Sequence, residues 1–191
     1  MPLPLPLRTE RLTLRPLTEA DLDDHTRLYG DPEVVRYLYD EALDLEASKV
    51  HLDRRLQSPF PDDGAWLNLA VERDGEYLGE VGVVVTSTGF RQCEVGYVFR
   101  PDVAGHGYAT EATRAMVDLA FTTLNAHRVT GRIDARNDRS AAVLERLGMR
   151  REAHLVENEF VKGEWTDEVI YAITEDEWRD LPSVECRRAT P

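Results

Sequence analysis

The stretch with the clearest chemical content is Ala104-Gly105-His106-Gly107-Tyr108-Ala109-Thr110-Glu111-Ala112. Two glycines follow a β-rich segment and lead directly into residues with helical spacing. Glycine lets the chain turn tightly and approach a ligand closely. A helix start leaves its first N–H groups without partners, and the helix dipole adds positive potential there. Together they form an anion site suited to a pyrophosphate, and no lysine is required. The absence of Gly-Lys-Ser/Thr argues against a Walker-type loop. A dinucleotide-binding loop would share Gly105 and Gly107, but Thr110 stands at its third glycine position. No second set of parallel βα units follows Leu147, so that fold does not fit. A bare Gly-x-Gly is equally the pattern of a plain turn before a packed helix, so the surrounding elements decide.

Those elements can be read locally. Arg11–Leu17 alternates apolar and polar residues, as a strand does. Thr18 and Asp21 form a capping-box pair before a helix through Tyr29, and Gly30-Asp31-Pro32 ends it. A short helix is expected through Leu38. A longer one is expected from Leu45 to Leu56, with Leu45, Leu52 and Leu56 on one side. Strands are expected at Trp66–Glu72 and Tyr77–Val85, joined by the hairpin signal Asp74-Gly75, and at Glu94–Phe99. The helix after the glycine loop runs from Tyr108 to about Leu124, with Ala112, Ala115, Met116, Leu119 and Ala120 facing a core. Arg128–Ala135 is a strand. Asn137 opens a helix that ends at Gly148. Ala153–Phe160 and Trp165–Ile173 form a closing hairpin, and Thr174–Glu177 caps a last short helix. The helix from Tyr108 joins two neighbouring strands, which implies one parallel pair in a mostly antiparallel sheet. The fold class is α+β in one domain over residues 7–176, with a lead-in over 1–6 and a tail over 177–191.

Bulk composition narrows the function classes. The chain has 191 residues, 42% hydrophobic and 31% charged, which suits one globular domain. A formal net charge of −13 disfavours nucleic acid and anionic membrane as partners and favours cationic ones. A solvated acidic surface would look the same. No stretch has the apolar length of a membrane span. The start, Met1 to Leu7, is proline-broken and lacks the parts of a signal peptide. Cys93 and Cys186 are too few for a disulfide scaffold and lack metal-ligand spacing. We therefore expect no metal, a reducing cytoplasm, and a small buried thiol at Cys93.

Taken in order, the motifs resemble the GNAT acetyltransferases, and within them the RimJ/RimL-like branch. The resemblance spans about Leu7 to Ile173. It rests on Leu7-Arg8-Thr9-Glu10-Arg11-Leu12-Thr13-Leu14-Arg15-Pro16, Glu94-Val95-Gly96-Tyr97, the glycine loop, Asn137-Asp138-Arg139-Ser140, Leu147-Gly148-Met149 and Asp167-Glu168-Val169-Ile170-Tyr171. The family loop has Arg or Gln at the position of Ala104, a departure of small consequence if backbone donors do the holding. The resemblance implies a GNAT fold, a central mixed sheet flanked by helices. It implies acetyl-CoA as co-substrate, a primary amine as acceptor (a protein N-terminus or a small amine) and a homodimer.

It also implies residue roles. Ala104, Gly105, His106, Gly107, Tyr108, Ala109 and Thr110 would hold the pyrophosphate, with Arg100 and His106 at its edge. Val98 and Phe99 would pair with the pantetheine arm in a gap between the strands at Glu94–Phe99 and Arg128–Ala135. Asn137 would hydrogen-bond that arm or simply cap its helix. Glu94 would be the general base, or else a strand-end glutamate facing solvent or paired with an arginine. Glu159 and Asp167 are further carboxylates, and Asp167 could instead brace the hairpin. Many GNAT enzymes place a tyrosine, as acid for the leaving thiolate, where this chain has Leu144. Ser140, one turn earlier, is the substitute, or a hydroxyl bonded to backbone. The alternatives are an acyl-CoA sensor without turnover and a transferase of another acyl group.

Overall fold

A computed structural model describes residues 3–181. Cys186 and the polar tail beyond Leu181 lie outside the described residues. The strands are β1 (Leu7–Arg8), β2 (Thr13–Pro16), β3 (Trp66–Arg73), β4 (Glu76–Ser87), β5 (Gln92–Phe99), β6 (Arg128–Asp134), β7 (Arg150–Val161) and β8 (Glu164–Thr174). They form one sheet in the order β1-β2-β3-β4-β5-β6-β8-β7. Every neighbouring pair is antiparallel except β5–β6. The helices are α1 (Leu22–Tyr29), α2 (Pro32–Val35), α3 (Leu45–Leu56), α4 (Tyr108–Thr122), α5 (Asp138–Arg146) and α6 (Glu175–Asp180).

Turn chemistry sets much of this register. Asp74 and Gly75 have φ of 53° and 83°, and Lys162 and Gly163 have 52° and 84°. Two successive left-handed residues are what a two-residue hairpin with strand-like twist requires. The carboxylate of Asp21 accepts from the Thr18 N–H at 2.7 Å, and that of Glu177 accepts from the Thr174 N–H at 2.8 Å. Both expected capping boxes therefore form.

The two faces of the sheet are covered differently. One carries the main core, where α4 and α5 bury Met116, Val117, Ala120, Leu144 and Leu147 against Leu69, Val83 and Val129. Leu3, Leu5, Trp178 and Leu181 also pack on it. The other face meets α1, α2 and α3 through Leu17, Leu28, Tyr29, Val35, Leu52, Ala70 and Tyr77.

Three expectations need correction. The short helix stops at Val35, not Leu38. The helix after the glycine loop ends at Thr122, and Asn125 is left-handed at φ 56°. In α3 only Leu52 of the three leucines is buried, while Leu45 and Leu56 are 53% and 37% exposed. The face turned to the sheet carries Ser48, His51, Leu52 and Arg55: Leu52 joins the apolar cluster with Leu28 and Tyr29, and Arg55 meets the buried carboxylate of Glu80 on β4.

Candidate active site

A continuous cleft of about 2720 Å³ runs from the glycine loop, along β5, to the face covered by α1 and α3. It opens because β5 and β6 stay paired only briefly. Gln92, Cys93 and Glu94 pair with Arg128, Val129 and Thr130, and there the pairing stops. Beyond it β5 remains bonded to β4 and β6 to β8, so the two strands part. The edge of β5 from Val95 to Phe99 is left facing the gap. Such an edge accepts an extended ligand as an added strand. Val98 and Phe99 lie on it, as expected, and both line the cleft.

The loop lies at one end of this gap. Gly105 and Gly107 have φ of 82° and 79°, and Gly107 is the residue before α4. A Cβ at Gly105 would meet nothing within 4 Å, so the glycine serves conformation rather than space. The first helical bond runs from the Glu111 N–H to the Gly107 carbonyl at 3.0 Å. The N–H groups of Tyr108, Ala109 and Thr110 therefore lie outside the ladder. Glu111 would repel an anion here, but its charge is matched. It accepts from the Thr9 hydroxyl at 2.6 Å, the Arg11 N–H at 2.9 Å and the Arg11 guanidinium at 2.7 Å. Arg11 also donates to the His106 carbonyl at 3.0 Å and lies over the Tyr108 ring. The Leu7–Pro16 motif thus ties the N-terminal segment to the loop.

Not every expected residue is available. Arg100 donates to Asp102 at 3.0 Å, Glu76 at 2.9 Å and the Tyr77 carbonyl at 2.9 Å. Two carboxylates match its charge. His106 is exposed, and its Nδ1 lies 3.1 Å from the Ala104 carbonyl. A carbonyl only accepts, so that nitrogen carries the hydrogen. The Asn137 carbonyl oxygen accepts from the Ser140 N–H at 3.1 Å as a helix cap. Its amide nitrogen is not used in that bond, so capping and ligand binding do not compete.

Glu94 lies on the face toward α1 and α3, at the last paired position before the strands part. Burial pushes its carboxyl above the usual range, the Arg132 charge opposes this, and Glu168 adds to it. Arg132 instead grips Glu168 at 2.8 and 2.6 Å. Glu94 therefore has no ion-pair partner among the described residues, which sets aside the arginine-paired alternative. Asp167 accepts from His154 at 2.7 Å and the Glu157 N–H at 2.9 Å, so it braces the hairpin. Glu159 takes an Asn158 amide at 3.3 Å. Ser140 lines the cleft. Its carbonyl accepts from the Tyr97 phenol at 2.9 Å. Leu144 packs where a Cβ at Gly131 would come within 2.8 Å of it.

The largest feature that the sequence did not announce is a buried polar network behind the cleft. Glu80, 2% exposed, is its centre. It accepts from His25 at 2.5 Å, Tyr77 at 2.7 Å and Tyr29 at 3.2 Å, and pairs with Arg55 at 3.1 Å. His25 Nε2 lies 2.9 Å from His51 Nδ1, and Arg55 reaches His51 Nε2 at 3.4 Å. Arginine only donates, so His51 Nε2 accepts and its Nδ1 carries the hydrogen. His25 must then accept at Nε2 and donate from Nδ1 to Glu80. Burial works to raise the Glu80 carboxyl, but the His25 bond and the Arg55 charge outweigh it and hold it low. Burial and Arg55 push His51 down to about 4. The available signal was a glutamate inside the apolar run Tyr77–Val85, with His51 and Arg55 four residues apart on one helix.

Among the described residues, no group of three or more His, Cys, Asp or Glu could hold a metal ion, and no helix is long and apolar enough to cross a membrane. Cys93 is a buried free thiol, pushed up to about 11 by burial.

A mixed sheet split between the parallel strands β5 and β6, with a glycine loop and helix start at the split, is the architecture of the GNAT fold. Residues 11–150 match the Acetyltransferase (GNAT) domain family, and the chain belongs to it. It is 29% identical to the uncharacterized N-acetyltransferase YnaD of Bacillus subtilis, over 90% of this chain and 98% of that protein. It is 27% identical to spermidine N(1)-acetyltransferase of Escherichia coli, over 86% of this chain and 87% of the other. Among solved structures it is similar to a GNAT-family acetyltransferase from Bacillus anthracis, at 28% identity and TM-score 0.79, covering 89% and 98% of the two chains. It shares its fold with Vibrio cholerae spermidine N-acetyltransferase, solved with CoA and spermine, at 23% identity and TM-score 0.77, covering 90% and 100%.

Proposed function

We propose that this protein is an N-acetyltransferase that moves the acetyl group of acetyl-CoA onto a primary amine by direct attack. The observation that carries this is the gap between β5 and β6, which joins an anion-binding helix start to the unpaired carboxylate of Glu94. The order of the motifs supports the RimJ/RimL-like branch.

The residues present fit the co-substrate. The N–H groups of Tyr108, Ala109 and Thr110 hold the pyrophosphate, helped by the turn at Gly105-His106-Gly107. The β5 edge at Val98 and Phe99 binds the pantetheine arm, and Asn137 donates to it through its amide nitrogen. Acetyl-CoA supplies an already activated thioester, so no covalent enzyme intermediate is needed. Glu94 takes the proton of the acceptor amine, directly or through water, and its raised carboxyl range suits a base. Ser140 offers a hydroxyl to the leaving thiolate. The relatives that acetylate spermidine support a small amine as acceptor, and a protein N-terminus is the other acceptor of the right chemistry.

The test is calorimetry with acetyl-CoA, followed by thiol release on adding a panel of amines. Binding with amine-dependent release is the expected result. Glu94→Gln should lower kcat by about a hundredfold or more and leave the Kd for acetyl-CoA unchanged. Binding without release across the panel would instead favour an acyl-CoA sensor.

A further inference from the structure

The split between β5 and β6 is bridged on the face that α5 covers. Had the ladder continued beyond Glu94 and Thr130, Val95 would stand opposite Gly131 and Tyr97 opposite Ile133. Alternate residues of a strand share a face. Tyr97 therefore points with Cys93 and Val95 into the main core, on the side away from Glu94. The chain turns back after β6, where the Asn137 N–H donates to the Asp134 carbonyl at 2.9 Å, and α5 runs over the strand. Leu144 fills the space above Gly131, where an added Cβ would come within 2.8 Å of it. Ser140 is one turn earlier, about 6 Å along the helix axis. Ile133 is two strand residues beyond Gly131, about 6.6 Å. Ser140 thus stands level with Ile133, across the gap from Tyr97, and its carbonyl accepts from the Tyr97 phenol at 2.9 Å.

That bond ties one bank of the gap to the other. On its own bank α5 is held by Tyr171 of β8, whose phenol donates to Glu145 at 3.0 Å, and β8 is paired with β6. Tyr97 comes from β5, which stays with β4. A carbonyl only accepts, so the phenol hydrogen is committed to Ser140. Burial also holds this phenol above its usual range, so it remains a donor. The group is therefore not set to protonate a thiolate. It sets a distance instead: the ring is rigid, and the gap cannot widen at this level without breaking the bond. Asn137 shares the braced turn, since its side-chain oxygen accepts from the Ser140 N–H at 3.1 Å. Tyr97, Asn137 and Ser140 all line the cleft.

We propose that Tyr97 is a positioning residue for the thioester, a strut across the split that sets the width of the pantetheine gap and holds Asn137 and Ser140 against the β5 edge at Val98 and Phe99. The assignment rests on the transferase reading above and adds a residue to it. Without the strut, the ligand itself has to order the first turn of α5, and ordering drawn from binding energy weakens binding. The pyrophosphate loop is braced separately, through Arg11 and Glu111.

The experiment compares the calorimetric Kd of CoA with that of ADP, which has the pyrophosphate without the arm, in the wild type, Tyr97→Phe and Tyr171→Phe. Each variant keeps the ring and loses one phenol bond to α5, but only the first bond crosses the split. Tyr97→Phe should raise the Kd for CoA about fivefold, the scale of one net hydrogen bond, and lower kcat for acetyl transfer, while the Kd for ADP stays at its wild-type value. Tyr171→Phe should lower the Tm by a similar amount and leave both Kd values unchanged. An unchanged Kd for CoA in Tyr97→Phe, an equal rise for ADP, or the same rise in Tyr171→Phe overturns the assignment. Wild-type protein that does not bind CoA would overturn the transferase reading, and the strut with it.

Discussion

Replacing Glu80 by glutamine changes one atom and keeps the volume, so its cost isolates the polar network. Four donors face the carboxylate: His25 and Tyr77 on one oxygen, Tyr29 and Arg55 on the other. A glutamine must turn its NH2 toward one pair. Toward Arg55 it sets donor against cation. Toward His25 the ring would have to accept at Nδ1 and donate from Nε2. His51 would then accept at both nitrogens, which a neutral imidazole cannot do while Arg55 donates to it. Either orientation breaks a buried hydrogen bond and leaves Arg55 without its counter-charge. Removing one partner of a buried pair costs about 3–5 kcal/mol. For a domain of this size that corresponds to a fall in Tm of roughly 6–20 °C. Urea unfolding followed by far-UV circular dichroism, with the slope compared between variants, measures it. A double-mutant cycle with Arg55→Met should show a coupling above about 0.5 kcal/mol. A loss below about 1 kcal/mol for Glu80→Gln would refute the network as described.

Two further outcomes follow from the same geometry. Gly107→Ala forces a side chain into φ 79°, where the added Cβ meets only Arg11 Nη2 at 3.6 Å, so the effect is conformational. Strain of about 1 kcal/mol or slightly more should relax the loop and raise the calorimetric Kd for acetyl-CoA about fivefold to tenfold; an unchanged Kd would show that pyrophosphate is held elsewhere. Stability should fall with acid in two stages. Between 6.5 and about 4 the unfolded chain takes a proton that His51 refuses in the fold. Below 4.5 the depressed carboxyl of Glu80 adds to the loss. Urea midpoints measured across this range should drop on lowering pH, and His51→Asn should flatten the upper stage.

The parts of the fold legible in the sequence were those set by local chemistry. Asp74-Gly75 placed a hairpin because both residues tolerate left-handed backbone, and the Thr18 and Thr174 boxes placed two helix starts. The glycine loop was readable as an anion site for the same reason: its donors are backbone groups, and their exposure follows from where a helix begins. The gap between β5 and β6 was not readable locally. Nothing in Val95–Phe99 or Gly131–Asp134 reports that pairing ceases after Glu94 and Thr130, since that depends on β4 and β8 holding the two strands apart. It entered only through resemblance. The face of α3 was misread for a different reason. Hydrophobic spacing favours Leu45, Leu52 and Leu56, but the inward face is Ser48, His51, Leu52 and Arg55, and the contact of Arg55 with Glu80 is a tertiary one that spacing does not report.

That contact also bears on how this side of the cleft is held. Apolar side chains would cover the same sheet face without fixing the rotation of α3 or the direction of any amide. A chain of donors and acceptors with one consistent hydrogen assignment does fix them, because each member limits the next. Arg55 occupies the point where this chain meets the cleft. Its contacts run to α1 through Tyr29, to β4 through Glu80 and to β3 through Asn68. A group that needed only charge neutralisation would be served by Glu80 alone. The remaining bonds hold the plane of the guanidinium, and through it the Asn68 amide, two strands from Glu94. The buried network therefore fixes the side of the cleft lined by Arg55 and Asn68, while α4 and α5 pack the opposite face of the sheet.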